Sequence, residues 1–388
     1  MTMREEIKLA LRLSEQGRPL DAAAAMEAVI ADCRRNGEAA SLDAHMLRAG
    51  FLFNAGDLAR SAAALEETVA VFPDEPKVHE NLGILHKRLG RFEEALGALE
   101  KALSLGDANP NIHDGLCSVY GTLGRMEEAR RHGTESLLAK DAEATANGLE
   151  FDVPVAPPKP FDPTRPADNI VAFSLWGDRP RYTQGAVQNA ILVPALYPGW
   201  TARFYVDDTV PPPVVDQLRQ LRAEIVMRPR PSVFYEGLLW RLEVVGDPTV
   251  SRFLVRDADA VVNTQERAAV DEWLASNRHF HVMRDWFTHT DLILAGLWGG
   301  AGGVLPPLDT LRAAFKPFRV ATPNFDQDLL RMTVWPTARK SVLVHDGYFD
   351  CFDSRPFPAT GRLPAGQHVG QDHTHRQIRA PQSQDKRR

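Results

Sequence analysis

Two aspartates one residue apart, Asp257 and Asp259, follow a short apolar run in the stretch Ser251 to Val262, SRFLVRDADAVV. Phe253-Leu254-Val255 has the pattern of a buried strand. A strand ending in D-x-D places two carboxylates at a turn, where both can face one cation. Hard divalent cations such as Mg2+ and Mn2+ need such carboxylates when they also hold a diphosphate. The pattern alone carries little weight. About one D-x-D arises by chance in a chain of ordinary composition and this length, and a second lies at Asp326 and Asp328.

The elements that must position these residues alternate between strands and helices from about residue 169, which predicts an α/β domain. Strands are expected at Ile170–Leu175, Thr201–Val206, Ala223–Met227, Arg252–Arg256, Phe280–Met283 and Val342–Val344. Helices are expected at residues 182–196, Pro213–Arg222, Trp240–Val245, Gln265–Ser276 (with Thr264 as N-cap) and Asn324–Met332. Ligands of such sheets sit outside the carboxyl ends of the strands. Trp176-Gly177-Asp178 ends the first strand, Asp207-Asp208 the second and Arg256 to Asp259 the fourth. Asp326-Gln327-Asp328 and His345-Asp346 follow downstream.

This ordered set, with His281-Val282-Met283-Arg284-Asp285 and Gly296-Leu297-Trp298-Gly299, resembles the GT-A nucleotide-sugar glycosyltransferases. The likeness is closest to bacterial proteins in which tetratricopeptide (TPR) repeats precede a GT-A-like domain. D-x-D, D-Q-D and a late histidine also occur in family 8 retaining enzymes. The resemblance implies that Asp257, Asp259 and His345 hold Mn2+ or Mg2+, the imidazole favouring manganese. It implies that the cation neutralises the leaving nucleoside diphosphate. Trp176, Asp178, Arg241, Arg256 and Asp257 would contact the nucleotide sugar, and Asp326, Gln327 and Asp285 would do the chemistry at the sugar. Each role has a plainer alternative. His345 can bond to Asp346, Asp285 can pair with Arg284, Asp326 can cap a helix, Arg241 can be an exposed helix arginine, and Trp176 and Trp298 can be core residues. Ala260 stands where the family often has a small hydroxyl, and Gln265-Glu266-Arg267 scrambles the usual order of the next helix.

The first 150 residues carry a different signal, a repeat of 34 residues. Gly56, Gly90 and Gly124 are spaced by 34, as are Pro76 and Pro110, and Glu93-Glu94-Ala95 recurs as Glu127-Glu128-Ala129. This resembles the TPR, a helix–turn–helix unit whose stacks form binding surfaces without chemistry of their own. Three repeats are clear over residues 43–143, with a further copy around Gly17 offset by an insertion. The expected organisation is an all-α TPR solenoid at 1–148 and a proline-rich linker or strap at 149–168. An α/β GT-A-like (Rossmann-like sandwich) domain follows at 169–365, and a polar, disordered tail at 366–388.

Composition narrows the rest. Net charge is −6, which does not favour nucleic acid as a partner. Three cysteines, Cys33, Cys117 and Cys351, are too dispersed for a disulfide framework or a zinc pattern, so a reducing, cytoplasmic setting is expected. Leu292 to Leu308, the longest uncharged stretch, is too short and too broken by glycine and proline to cross a bilayer. The sequence-level expectation is a metal-dependent glycosyltransferase taking a nucleotide-sugar donor, with a protein or glycan acceptor bound through the TPR groove. The alternative is a TPR adaptor whose GT-A-like domain has lost catalysis.

Overall fold

The computed structural model describes residues 3–106, 108–315 and 324–374. The chain divides into two compact units, Met1–Ser136 and Leu137–Arg388.

The first unit is built from helix pairs: α1 (Met3–Glu15) with α2 (Pro19–Arg35), α3 (Leu42–Asn54) with α4 (Leu58–Val71), and α5 (Pro76–Arg88) with α6 (Phe92–Ser104). α7 (Pro110–Thr122) is followed by α8 (Met126–Asn147), whose residues from Leu137 belong to the second unit. Gly17, Gly56, Gly90 and Gly124 all have φ between 74° and 78°, a left-handed backbone that ends the first helix of each pair. The chain is then turned by a bond from the next amide back to the helix, as from Arg91 N to His86 O at 2.9 Å. Gly17 occupies the same position in α1–α2, so the N-terminal copy is a full pair despite its offset spacing. Ala95 and Ala129 are fully buried. A methyl added to Gly83 would lie 2.5 Å from Leu99 Cγ, so small residues are required where these helices touch.

The second unit centres on a seven-stranded sheet in the order β3-β2-β1-β4-β6-β5-β7. Its strands are β1 (Asn169–Leu175), β2 (Thr201–Val206), β3 (Glu224–Met227), β4 (Arg252–Arg256), β5 (Phe280–Arg284), β6 (Leu297–Ala301) and β7 (Val342–Asp346). All pairings are parallel except those of β6, which runs antiparallel to both β4 and β5. Around the sheet lie α9 (Pro180–Leu196), α10 (Pro212–Gln220), α11 (Phe234–Leu239), α12 (Thr264–Leu274), α13 (Leu308–Ala314), α14 (Phe325–Thr333) and α15 (Trp335–Ala338). Trp240–Gly246 is a 3-10 helix. Every residue of β1 and β4 is buried, as expected of central strands covered on both faces.

Four sequence expectations change or narrow here. Leu297-Trp298-Gly299 belongs to strand β6, where no strand was expected, with Gly296 just before it, and Trp298 is fully buried edge-on to Phe253. Its glycines are needed because a methyl on Gly299 would lie 2.5 Å from Phe253 O of β4. Of the linker or strap expected at 149–168, the strap forms: these residues pack on the second unit, through Leu149 N to Met332 O at 2.7 Å, Phe151 N to Thr337 Oγ1 at 2.8 Å and Phe161 stacked on Trp200. The expected disordered tail is packed as far as Thr374: Val369 is fully buried and Asp372 forms a β-bridge with Ala260. The rest of that tail, 375–388, lies outside the described residues. Asn263 rather than Thr264 caps α12, its carboxamide oxygen accepting from Gln265 N and Glu266 N.

Candidate functional site

The chain builds β1, β2 and β3 outward in one direction and then returns to place β4 on the other side of β1. Such a reversal opens a crevice between the carboxyl ends of the two strands, where open α/β sheets bind ligands. A cavity of about 760 Å³ lies there, lined by Trp176, Asp178, Arg181, Arg241, Asp257 and Asp259 among others. A chamber of about 220 Å³ shares Leu238, Arg241, Asp257 and Gly370 with it and adds Asp326 and Gln327.

The Asp257–Asp259 turn is held from behind by α9. Asn189, fully buried, donates from Nδ2 to Ala258 O (3.3 Å) and Ala260 O (3.2 Å) and accepts from Val262 N (3.0 Å). A methyl on Gly185 would lie 2.3 Å from Ala258 O. Gly296 serves the front of the turn, since any side chain there would strike the Asp257 carboxylate. Neither Asn189 nor Gly185 belongs to a motif. Only their helical spacing of four residues puts both on one face of α9.

Each aspartate is matched by an arginine. Arg241, 4% exposed, donates to Asp257 Oδ1, to Asp326 Oδ2 at 2.9 Å and to Arg256 O at 3.2 Å. It is a buried clamp joining D-x-D to D-Q-D, not an exposed helix arginine. Arg181, whose side chain is 47% exposed, donates to Asp259 Oδ2 at 2.6 Å and pairs with Asp372 at 3.0 Å. Burial, and then the charge of Asp257, push the Asp259 carboxyl above the usual carboxylate range. Burial does the same to Asp326. Asp326 does not cap α14. Its Oδ2 holds Arg241, and its Oδ1 accepts the Gln327 amide at 2.9 Å. Gln327 Oε1 is buried without a hydrogen-bond partner among the described residues.

Trp176, Asp178, Arg241, Asp257, Asp259, Asp326 and Gln327 therefore gather at two adjoining chambers, and three expected site residues do not. His345 lies on β7, level with Arg256 but three strands from β4, or roughly 14 Å at ordinary strand spacing. Its Nε2 donates to Glu272 at 2.8 Å and its Nδ1 accepts from His281 Nε2 at 2.9 Å, so it is a fully buried core histidine. It is not a ligand beside the D-x-D pair, nor is it bonded to Asp346. That carboxylate pairs with Arg284 at 2.7 Å. Arg256 points to the opposite face from Asp257, as alternation along a strand requires, and pairs with Glu266 at 3.1 Å inside the core.

Asp285 lines neither chamber. It accepts from Gln265 Nε2 at 2.6 Å and Val369 N at 3.2 Å, tying down the C-terminal strap. Burial pushes it up to about 6. An unfolded aspartate titrates near 3.9, so the folded state holds the proton more tightly. The resulting stability is fully present below about pH 3.9 and is lost as pH rises through about 6. Asp285→Asn keeps an acceptor for both bonds and should flatten the fall in stability between pH 4 and 7, by no more than about 2 kcal/mol. Urea unfolding of both proteins across that range measures it.

That strap also supplies a residue the motifs did not reveal. His373 Nδ1 lies 3.0 Å from Asp259 O. A carbonyl can only accept, so Nδ1 carries a proton, and in the neutral ring Nε2 has the lone pair. Nε2 is buried with no hydrogen-bond partner among the described residues. A histidine whose far nitrogen donates to a backbone carbonyl is held in the tautomer that metal binding requires. Asp257, Asp259 and Asp372 line the cavity together, and carboxylates are the oxygen ligands a divalent cation takes.

A tetratricopeptide-repeat family model matches residues 52–111, within the first unit. The chain carries TPR repeats, and such repeats serve protein interaction. No curated protein matches the chain. Among solved structures, a MamA crystal structure is similar over 36% of this chain and 78% of its own, at 19% identity and a TM-score of 0.33. MamA from residue 41 onward of Desulfovibrio magneticus RS-1 is similar over 36% of this chain and 75% of its own, at 18% identity and a TM-score of 0.32. Among the described residues, no helix is long and apolar enough to cross a membrane.

Proposed function

We propose that the second unit is a metal-dependent glycosyltransferase domain of GT-A type. It would bind a nucleoside-diphosphate sugar across the carboxyl ends of β1 and β4, and the TPR unit would bind a protein partner or acceptor. The observation that carries this reading is the meeting of Asp257 and Asp259 with the end of β1 at one cavity, placed where the strand order reverses. The adjoining polar chamber, with Asp326 and Gln327, has the place and chemistry of a sugar subsite.

Asp257 and Asp259 would hold Mn2+ or Mg2+, with His373 as the candidate nitrogen ligand. When bound, the cation neutralises charge on the departing diphosphate. The chain's own groups do the rest. Trp176 offers a ring at the cavity wall for the base. Arg181 exchanges Asp259 for phosphate oxygens as the site fills. Arg241 fixes Asp257 and Asp326 at one distance, and Asp326 and the unpartnered Gln327 oxygen face positive charge developing on the sugar.

A second reading has one observation in its favour: both aspartates already hold arginines, as they would in an adaptor whose catalysis is lost. A thermal-shift panel of UDP-, GDP- and CMP-sugars with and without Mn2+ separates the two. Stabilisation by one donor, dependent on metal and lost in Asp259→Ala, is the expected result. No response to any donor at any metal concentration leaves the adaptor reading.

A further inference from the structure

Outside the candidate active site, one group of side chains in the TPR unit has the geometry of a metal centre. His113 on α7 and His132 and Glu135 on α8 bring three potential ligand atoms together. His113 Nδ1 and His132 Nδ1 are 3.0 Å apart, and Glu135 Oε2 is 3.1 Å from the first and 3.3 Å from the second. Both imidazoles are more than nine-tenths buried, and the Glu135 side chain is 45% exposed. We propose that His113, His132 and Glu135 form a binding site for Zn2+ or a similar transition-metal ion, with an open coordination position facing solvent.

Three observations support it. The spacing is close to that of tetrahedral zinc ligands, which lie about 3.3 Å from one another when metal–ligand bonds are about 2.0–2.1 Å. His132 and Glu135 are three residues apart, so α8 presents both on one face, while α7 brings His113 to the same point. The hydrogen-bond arithmetic is also incomplete without a cation. Arg131 donates to His132 Nε2 at 3.1 Å, so His132 carries its one proton on Nδ1. That single proton can bridge His132 to His113 or to Glu135. On His113, an Nδ1 lone pair would face the Glu135 carboxylate oxygen at 3.1 Å, while an Nδ1 proton would face the His132 proton across 3.0 Å. A divalent cation satisfies all three edges at once.

The surroundings suit neutral nitrogen ligands. Burial lowers the pKa of both histidines. Tyr120 stacks on His132, with ring centroids 5.5 Å apart and planes 8° apart, which fixes the ring. Two imidazoles and one carboxylate select zinc-like ions over Mg2+ and Ca2+, which prefer all-oxygen sites. When the ion binds, the His132 proton moves from Nδ1 to Nε2, and Arg131, an exposed residue, must turn away. Arg131 therefore opposes binding.

The test uses the full chain carrying Asp259→Ala, so that the proposed donor site does not contribute. Metal-stripped protein is titrated with Co2+, read by its visible absorption, and the cobalt is then displaced with Zn2+. One equivalent with intense tetrahedral bands is expected. His113→Gln and His132→Gln should each weaken binding by more than the roughly 10–100-fold that loss of an outer partner costs. Glu135→Gln, at a half-exposed position that the fold tolerates, should weaken it as well, and Arg131→Ala should tighten it. Circular dichroism confirms that helix content is retained. Absence of a saturable one-equivalent signal overturns the proposal, as does cobalt affinity unchanged in the folded Glu135→Gln variant. Because Asp259 is already removed, neither result depends on the glycosyltransferase reading.

Discussion

Arg241→Met is expected to destabilise the second unit by about 3–5 kcal/mol at pH 7, since one partner of a buried ion network is lost while the others stay charged. Arg241 is the buried cation between Asp257 and Asp326. Methionine fills much of its volume, so packing is largely kept and the cost is electrostatic. Asp326 would be left buried and charged with its amide bond from Gln327 but no cation. Its carboxyl already sits above the usual range because of burial, and without Arg241 it should rise further. A raised folded-state pKa gives stability that is complete below the unfolded value and fades as pH rises through the folded one. The penalty should therefore shrink as pH falls from 7 toward 5. Chemical unfolding at both pH values measures this, and an equal penalty at the two would count against a charged Asp326 as its source. Arg241→Met with Asp326→Leu should recover part of the loss, because a removed pair costs less than a broken one.

With the second unit acting as proposed, Asp259→Ala is expected to lower sugar transfer by roughly a thousandfold or more, the scale of removing one preorganised charge-stabilising contact, or one holding a catalytic cation. The fold should survive. Arg181, the partner released, is half exposed, and the three Asn189 side-chain bonds that shape the turn reach only its backbone atoms. His345→Gln makes the contrast that decides between the sequence expectation and the structure. It should lower stability, since His345 links Glu272 to His281 within the core, yet leave metal-dependent donor binding in place. His373→Ala should weaken the metal response with little effect on stability. Donor-induced thermal shifts at several Mn2+ concentrations read all three variants. A His345→Gln protein that folds normally and loses the metal response would overturn the placement of the cation.

The limits of β2 and β4 agree with the sequence expectation at both ends, and β1 differs by one residue. The reason is physical: a central parallel strand is buried on both faces, so it appears as an unbroken apolar run. The repeat unit was legible for a similar reason, because the first helix of each pair ends on a glycine that takes a left-handed backbone. β6 was not legible. Its Gly299 and Gly300 lower local strand propensity, and they are tolerated because β4 and β5 pack against them.

The sequence by itself determined that the chain joins a TPR array to an α/β domain, and that Asp257 and Asp259 stand at the end of a strand. Those facts are local, written in periodicity and in residues adjacent in the chain. The tertiary structure alone decided what stands beside those aspartates. Strand order carries β7 three places from β4 and takes His345 away. The C-terminal strap returns and brings Asp372 and His373 in. Arg241 joins Asp257 to Asp326, which lies 85 residues beyond the arginine itself. Asn189 and the His113–His132–Glu135 cluster have no local signature at all. The set of groups that share a cation or a substrate is fixed by which strands and helices become neighbours, a property of long-range packing that no window of sequence contains.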